Sequence, residues 1–320
     1  MSGHPSMRPA KVAVPGLLSL LCAGAAHSAA IERAIPSNTR ILFEEGRYLE
    51  FGVSYIDPSQ SGDDALIPPQ FSPIPGVALP FTGNTGDLFE DHWNFSAAYK
   101  ADINERLSYA LLFDQPYGAD TLYGSSVFTG TGVATGIQED IYGGSSADLK
   151  TYQFTGMLAY DVRPDVKIYG GLRAQRLSAN ASIPFVSGYD VDGGEDWGYG
   201  YMLGAAYSRP EIGLRVALSY YSKIEHSLDT RETTDVLGTN NTKTNVDTPQ
   251  SVSLEAQTGV AENTLIFGSI RLVDWSEFAI APPDYVIVTQ GRPLVDYADD
   301  WWTYNLGVVQ WFRDDLAGTL

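Results

Sequence analysis

The chain has 320 residues, and 20 Lys and Arg against 39 Asp and Glu give a formal net charge of −19. This balance argues against nucleic acid as a partner, because nucleic-acid binding needs a basic surface. After the first 30 residues no run of eighteen apolar residues occurs, which excludes membrane-spanning helices there. The single Cys excludes an internal disulfide and a Cys-based zinc site. A low charged fraction of 18% with 32 Gly and 19 Tyr leaves open a β-barrel that sits in lipid.

Residues 1–30 are predicted to be a secretory signal peptide. Arg8 and Lys11 form a basic start, an apolar stretch runs over 12–25, and small residues follow around Ser28 and Ala30. A short transmembrane anchor is the alternative, which the short apolar run disfavours. The only cysteine, Cys22, lies in this segment, so we expect a mature chain without thiols, as suits a periplasm or outer membrane.

The rest of the chain alternates apolar with small or polar residues at every second position, which is the signal of β-strands. We expect the apolar set to face lipid, for example Phe51, Leu111, Leu218 and Leu306. The predicted strands lie near 49–55, 93–99, 107–114, 152–160, 167–181, 199–207, 214–221, 252–260, 266–272 and 302–308, and an eleventh begins near 316. The strand over 167–181 has the least regular alternation.

The connections between these strands alternate in length. Short turns are predicted near 101–104, 161–166, 208–211, 261–263 and 313–315, and long loops near 57–88, 115–148, 182–195, 226–248 and 278–298. A soluble β-sandwich is the alternative, but its loops would be of similar length. One tight end and one end of long loops indicate an antiparallel transmembrane β-barrel of the outer membrane, with the turns in the periplasm.

The strand count is odd, whereas bacterial single-chain barrels have an even number and close on themselves. We therefore expect a barrel of about 14 strands in the full protein, with 10–11 of them in this sequence. The predicted organisation is a signal peptide over 1–30, a short N-terminal periplasmic or plug segment over 31–46, and a barrel domain over 47–320 that is incomplete at its C-terminus.

Several motifs resemble the FadL-type outer-membrane transporters of long-chain fatty acids and aromatic hydrocarbons. The most specific is a hairpin that begins at Thr248-Pro249 and ends in Trp275-Ser276-Glu277-Phe278. A Gly-rich strand over 196–207 is followed by a Tyr-x-Ser-x-Ile element in 214–228, and Pro116-Tyr117-Gly118 forms a turn after the third strand. The resemblance covers most of residues 40–315, although the Asn-Pro-Ala element of the family's plug is absent.

The resemblance implies passive transport of hydrophobic compounds, with long-chain fatty acids as the expected ligand and lipid and lipopolysaccharide as neighbours in a Gram-negative outer membrane. Apolar loop segments at 66–69 and 71–81 would capture the ligand, which would leave the lumen through a wall opening or past the plug. The Pro and Gly cluster at 116–124 would let a strand bend and break its ladder.

A fatty acid needs an apolar pocket and a cation for its carboxylate. We expect four cationic side chains on the lumen face, together with apolar side chains that would contact the tail. The cationic candidates are Arg173, Arg215, Lys223 and Arg271, and the apolar candidates are Phe267, Met157, Met202 and Leu112. The alternative is that the arginines pair with lumen acids such as Glu255 and only fill the barrel.

Other function classes fit the sequence less well. An enzyme would need a histidine base, but His92 is expected at the strand rim, and Ser227 must point away from its neighbour His226. No cofactor, metal or ATP site is predicted. A general porin would line its lumen with polar residues, and an aromatic hydrocarbon channel or a non-transporting structural barrel stay as alternatives.

Overall fold

The computed structural model describes residues 31–34, 39–59, 66–67, 79–80, 87–123, 144–313 and 316–319. The predicted signal peptide lies outside the described residues, and so do most of the loop segments at 66–69 and 71–81. The described part is dominated by antiparallel β-strands.

The strands are, in chain order, β1 (Tyr48–Ile56), β2 (Leu66–Ile67), β3 (Leu79–Pro80), β4 (His92–Asp102), β5 (Leu107–Asp114), β6 (Gly118–Leu122), β7 (Ser146–Arg163), β8 (Val166–Ile183), β9 (Tyr189–Arg209), β10 (Leu214–Tyr221), β11 (Ile224–Thr234), β12 (Gly238–Thr248), β13 (Ser251–Ala261), β14 (Thr264–Val273), β15 (Ala279–Ile280), β16 (Val295–Asp296), β17 (Trp301–Arg313) and β18 (Leu316–Thr319). Short 3₁₀ helices span Thr39–Phe43 and Pro210–Ile212, and one α-helix, α1, spans Pro283–Val288. No helix in the described ranges is long and apolar enough to cross a membrane.

Fourteen of these strands form one antiparallel sheet, the wall of the barrel. Its main path runs β1-β4-β5-β7-β8-β9-β10-β13-β14-β17-β18, while β6 and the β11–β12 hairpin extend it at one end. These eleven strands correspond to the eleven predicted ones, so the all-β fold class is confirmed. Short turns such as 164–165 and 262–263 close one end, which is the periplasmic end in barrels of this kind.

The outer face of the wall is apolar. Phe51 is 73% exposed, Leu111 57%, Leu218 52% and Leu306 82%, so the prediction that these side chains face outward is confirmed. The register keeps the outer residues in rows, since Leu218 lies opposite Leu254, which lies opposite Ile270. Because water would penalise such a surface, the wall needs lipid around it.

Side chains on the inner face are mostly small or polar, and many are buried. Ala110, Ala159, Ala206 and Ala217 are buried there, as are Ser253 and Thr155. Two chain segments pack against this inner face, the 3₁₀ helix at 39–43 and the connection that contains Trp275 and Phe278.

The long loops contain more regular structure than predicted. The interpretation of 226–248 as a loop was wrong, because β11 and β12 pair along their whole lengths from Ile224–Thr248 to Thr234–Gly238. Their inward residues include Thr230, Glu232 and Thr244, so the strands carry little of the apolar alternation that identifies strands in a sequence. Helix α1 and β15–β16 lie in the predicted loop at 278–298.

The lipid-facing wall can be tested at β17. We expect Leu306→Arg to lower the free energy of unfolding in lipid vesicles by about 2–4 kcal/mol, the cost of an arginine on the lipid face near the bilayer centre. Denaturant titration measures this loss.

The matched control is Asn305→Arg, which places the same group on the opposite face of the same strand, and its cost should stay below about 1 kcal/mol. Equal losses in the two variants would contradict the assignment of the faces.

Candidate functional site

The N-terminal segment, described over residues 31–34 and 39–47, lies inside the wall. Its 3₁₀ helix inserts Ile41 and Leu42, both buried, into an apolar cluster near the short turns. This cluster includes the predicted ligand contacts Leu112, Met157 and Met202. These three side chains therefore face the lumen but pack in the same cluster as the chain's own N-terminal segment.

Cationic side chains near the short turns hold this segment in place. The Lys100 Nζ donates to the Glu44 carbonyl at 2.7 Å, and the Lys167 Nζ donates to the Leu42 carbonyl at 2.9 Å. Arg215, the second predicted cation, lies on the inner face with its guanidinium carbon 4.5 Å from the centre of the Phe43 ring. A cation at this distance from a ring face is attracted to it. Arg215 thus contacts the N-terminal segment.

The third strand of the wall bends inward between β5 and β6. Asp114 lies opposite Gln153 and Gly118 opposite Lys150, so three residues of the bend face two residues of β7. The Tyr117 N–H donates to the Thr151 Oγ1 at 2.9 Å, and that hydroxyl donates to the Tyr117 carbonyl at 2.7 Å. The predicted break in this ladder is confirmed at 115–118, while 124 lies outside the described residues.

The bend interrupts the pairing between β4 and the third strand. The β4–β5 ladder ends at Ala97 and Phe113, and a bridge between Phe89 and Thr121 resumes the contact above it. In between, the Phe95 N–H donates a hydrogen bond to the Gln115 side-chain oxygen, Oε1, at 2.8 Å instead of to a backbone carbonyl. We call this interval, between residues 92–96 of β4 and 115–120, the wall window.

Residues 31–34 lie along the inner side of the bend. The N–H groups of Arg33 and Ala34 donate to the Pro116 carbonyl at 2.7 and 3.2 Å, and the Gly118 N–H donates to the Ile31 carbonyl at 2.8 Å. The Arg33 side chain passes over Gly118, where the Cβ of any other residue would collide with it. Burial lowers the pKa of Arg33, and the nearby Asp120 and Asp148 oppose that shift. Arg33 therefore occupies the wall window.

The neighbouring side chain, Glu32, points the other way into the lumen. Its carboxylate accepts a hydrogen bond from the Arg271 Nη2 at 2.7 Å, and both side chains are buried. The Arg271 Nη1 donates to the Ser253 Oγ at 3.2 Å. Burial raises the pKa of the Glu32 carboxyl, while its attraction to Arg271 opposes the rise. The predicted cation Arg271 thus has an acidic partner, and that partner is Glu32, not Glu255.

Two buried guanidinium groups flank one aromatic ring in the lumen. The Cζ atoms of Arg173 and Arg271 each lie 5.6 Å from the centre of the Tyr221 ring. Arg173 also donates to the Ser222 carbonyl at 3.0 Å and to the Gln153 Oε1 at 2.8 Å. The predicted cations Arg173 and Arg271 are therefore brought together. We call these two arginines, which share the Tyr221 ring, the arginine pair.

A polar network continues from the arginine pair toward the long loops. The Gln175 Nε2 donates to the Gln153 Oε1 at 3.1 Å, and the Gln175 Oε1 lies 3.0 Å from the His226 Nε2. His226 is buried in this network, whereas Ser227 is exposed on the opposite face of β11. The two residues are thus not arranged as a base and a nucleophile.

An apolar cluster lies above the arginine pair, at the long-loop end. Trp275, which is fully buried, has its ring 5.2 Å from the rings of Phe278 and Tyr297 and 6.0 Å from that of Tyr117. The other buried members of this cluster are Leu149, Leu177, Leu228, Val246, Val273 and Ile280. In the sequence, the motif at 275–278 indicates only a resemblance to the FadL-type family. It does not predict that these side chains pack over the lumen.

Two predicted contacts lie away from this arrangement. The placement of Lys223 on the lumen face was wrong, because the strand alternation breaks at Ser222 and Lys223 is exposed beside Glu225 at 2.7 Å and Asp247 at 3.2 Å. Phe267 is half-buried on the inner face. It lies opposite Gln257, which in turn lies opposite Arg215 on the next strand. It is not among the residues of the three buried apolar clusters.

Two surface grooves are poor sites for a hydrophobic acid. One of ≈ 510 Å³ has five carboxylates in its lining, from Glu90, Asp120, Asp148, Asp190 and Asp192, and these would repel an anionic head group. The other, of ≈ 560 Å³, lies along the exposed β11–β12 hairpin. Within the described ranges, no three His, Cys, Asp or Glu side chains are grouped to hold a metal ion.

The seat of the N-terminal segment can be tested at Lys100. Lys100→Met removes the donor to the Glu44 and Gly46 carbonyls, a loss of about 1.5 kcal/mol or more for charge-assisted bonds. We expect trypsin to cleave the folded protein after Arg40 or Arg47 about tenfold faster, because local opening exposes these sites. Lys243→Met, which removes an exposed cation 2.5 Å from Asp229, is the control. An unchanged cleavage rate in Lys100→Met would contradict this anchoring.

Residues 36–314 match the family described as outer membrane protein transport protein (OMPP1/FadL/TodX). A Pseudomonas aeruginosa FadL homologue is similar in structure, with 15% identity, a TM-score of 0.63, and coverage of 86% of this chain and 70% of that one. The Pseudomonas putida toluene transporter TodX has 13% identity, a TM-score of 0.54, and coverage of 86% and 74%. No curated protein matches the chain.

At these identities the two structures support the fold alone, whereas the family match spans most of the chain. The resemblance stated from the sequence motifs is therefore confirmed, and with it the location in the outer membrane of a Gram-negative bacterium. The chain belongs to the OMPP1/FadL/TodX family of outer-membrane transport proteins.

Proposed function

We propose that the protein admits long-chain fatty acids by passive diffusion. The carboxylate would bind at the arginine pair, and the tail would lie against the apolar clusters above and below it. The observation that carries this proposal is the placing of two buried guanidinium groups on one tyrosine ring inside the lumen. The Arg173 hydrogen bonds go to neutral groups, and a bound carboxylate would offset the cost of burying that charge, which a neutral hydrocarbon would not do.

The route follows from where the chain fills the lumen and where the wall is interrupted. A ligand entering at the long-loop end meets the Trp275 cluster first and the arginine pair beneath it. From there the wall window lies beside Tyr117, and the 3₁₀ helix at 39–43 fills the lumen toward the short turns. We therefore propose lateral exit through the wall window, with the N-terminal segment acting as a plug.

An aromatic hydrocarbon channel is the second candidate. It is favoured by the aromatic cluster of Trp275, Phe278 and Tyr297, and by the transport of toluene stated for the Pseudomonas putida structure. A general porin is less consistent with the buried Leu112, Met157 and Met202 on the inner face. Contact with lipopolysaccharide at the long-loop end stays a prediction.

Uptake separates the two candidates. We expect cells that lack fatty-acid uptake to grow on oleate when they express this protein. Arg271→Gln should lower the rate of oleate uptake about tenfold, because a hydrogen bond to a charged group contributes about 1.5–3 kcal/mol. Arg231→Gln, at an exposed site on β11, is the matched control.

Growth on toluene with none on oleate would favour the hydrocarbon channel, and uptake of neither would contradict transport. Equal loss of oleate and toluene uptake in Arg271→Gln would show that the residue does not recognise a carboxylate.

A further inference from the structure

The Arg271 guanidinium already holds a carboxylate that belongs to the chain itself. Glu32 places an oxygen 2.7 Å from the Arg271 Nη2 across a sequence separation of 239 residues. Both side chains are shielded from solvent, and Ser253 supplies a further oxygen. This is the contact that the head group of a fatty acid would make with an arginine in an apolar lumen.

We propose that Glu32 is an internal substitute for the ligand carboxylate, which a fatty acid must displace from Arg271 in order to bind. This proposal rests on the proposed function and adds to it a competition within the chain. The protein is thereby selective for anionic hydrophobic compounds over neutral ones of the same length.

The exchange conserves charge at the buried guanidinium. One carboxylate replaces another, so Arg271 is never left unpaired in the lumen, a state that is costly. A neutral hydrocarbon supplies no such replacement and leaves the Glu32–Arg271 pair in place. The protein therefore selects carboxylates over neutral hydrocarbons, because a hydrocarbon that displaced Glu32 would leave Arg271 without a partner.

The displacement also affects the wall window, through the geometry of an extended segment. Adjacent residues of such a segment point to opposite sides. Glu32 therefore reaches inward to Arg271, while Arg33 reaches over Gly118 toward Asp120 and Asp148. The backbone between them is held to the bend by hydrogen bonds with Pro116 and Gly118. Release of Glu32 thus removes the inner anchor of the same segment that places Arg33 in the window.

Equilibrium binding to the purified full chain in detergent tests the competition. The probes are oleate and oleyl alcohol, which share a tail and differ in the carboxylate. We expect Glu32→Gln to lower the Kd for oleate about tenfold, as follows if Glu32 occupies Arg271 about 90% of the time. The Kd for oleyl alcohol should stay within about twofold, since that probe does not use the guanidinium.

Two further variants keep the test decisive. Glu50→Gln breaks another ion pair of the N-terminal segment, Arg40–Glu50 at 3.0 Å, and should leave both Kd values unchanged. The double variant Glu32→Gln with Arg271→Gln removes both charges of this ion pair and leaves Arg173 as the remaining member of the arginine pair. Its preference for oleate over oleyl alcohol should therefore be smaller than that of Glu32→Gln.

The proposal is overturned if the wild-type chain prefers oleate but Glu32→Gln leaves its Kd unchanged, or if both probes gain equally. It is also overturned if the double variant prefers oleate as strongly as Glu32→Gln does. A wild-type chain that does not prefer oleate to oleyl alcohol contradicts the proposed function itself, which distinguishes that failure from the failure of the competition.

Discussion

The N-terminal segment supplies partners to the cationic groups inside the wall, in addition to wall partners such as Asp102 for Lys100 and Asp161 for Lys167. Arg271 pairs with Glu32, Lys100 and Lys167 bind carbonyl groups of residues 42–46, and Arg215 lies over Phe43. An unpaired charge in such a lumen is costly, so each contact stabilises the segment in its seat. Of these contacts, the Glu32–Arg271 pair is the one that the proposed ligand carboxylate would displace.

The bend at 115–118 connects the N-terminal segment to the wall. It turns Tyr117 into the lumen, where the ring lies against Trp275, and it removes backbone partners from β4. Gly118 leaves room for the Arg33 side chain, and Thr151 binds the backbone of Tyr117. A single irregularity in the third strand thus brings the aromatic cluster, the N-terminal segment and the wall window together.

The sequence was sufficient to predict the wall, because each strand alternates between a lipid face and a lumen face with period two. It was also sufficient to predict which face Arg173 and Arg271 occupy. Lys223 was misplaced because the alternation breaks at Ser222, where the Ser222 Oγ accepts the Tyr201 N–H in place of a regular ladder bond. The β11–β12 hairpin was missed because its inward residues are mainly polar.

The partner of Arg271 could not be predicted for a different reason. Periodicity assigns a side chain to a face, but it does not say which segment fills the space in front of that face. Glu255 was the nearer candidate in sequence, on the strand paired with β14, whereas Glu32 reaches Arg271 only because the N-terminal segment is bound to the bend. The most direct measurement of this account is a double-mutant cycle of Glu32→Gln and Arg271→Gln on the free energy of unfolding. We expect each single variant to lose about 1.5–3 kcal/mol and the double variant much less than the sum. Additive losses would show that the two side chains do not meet in the folded protein.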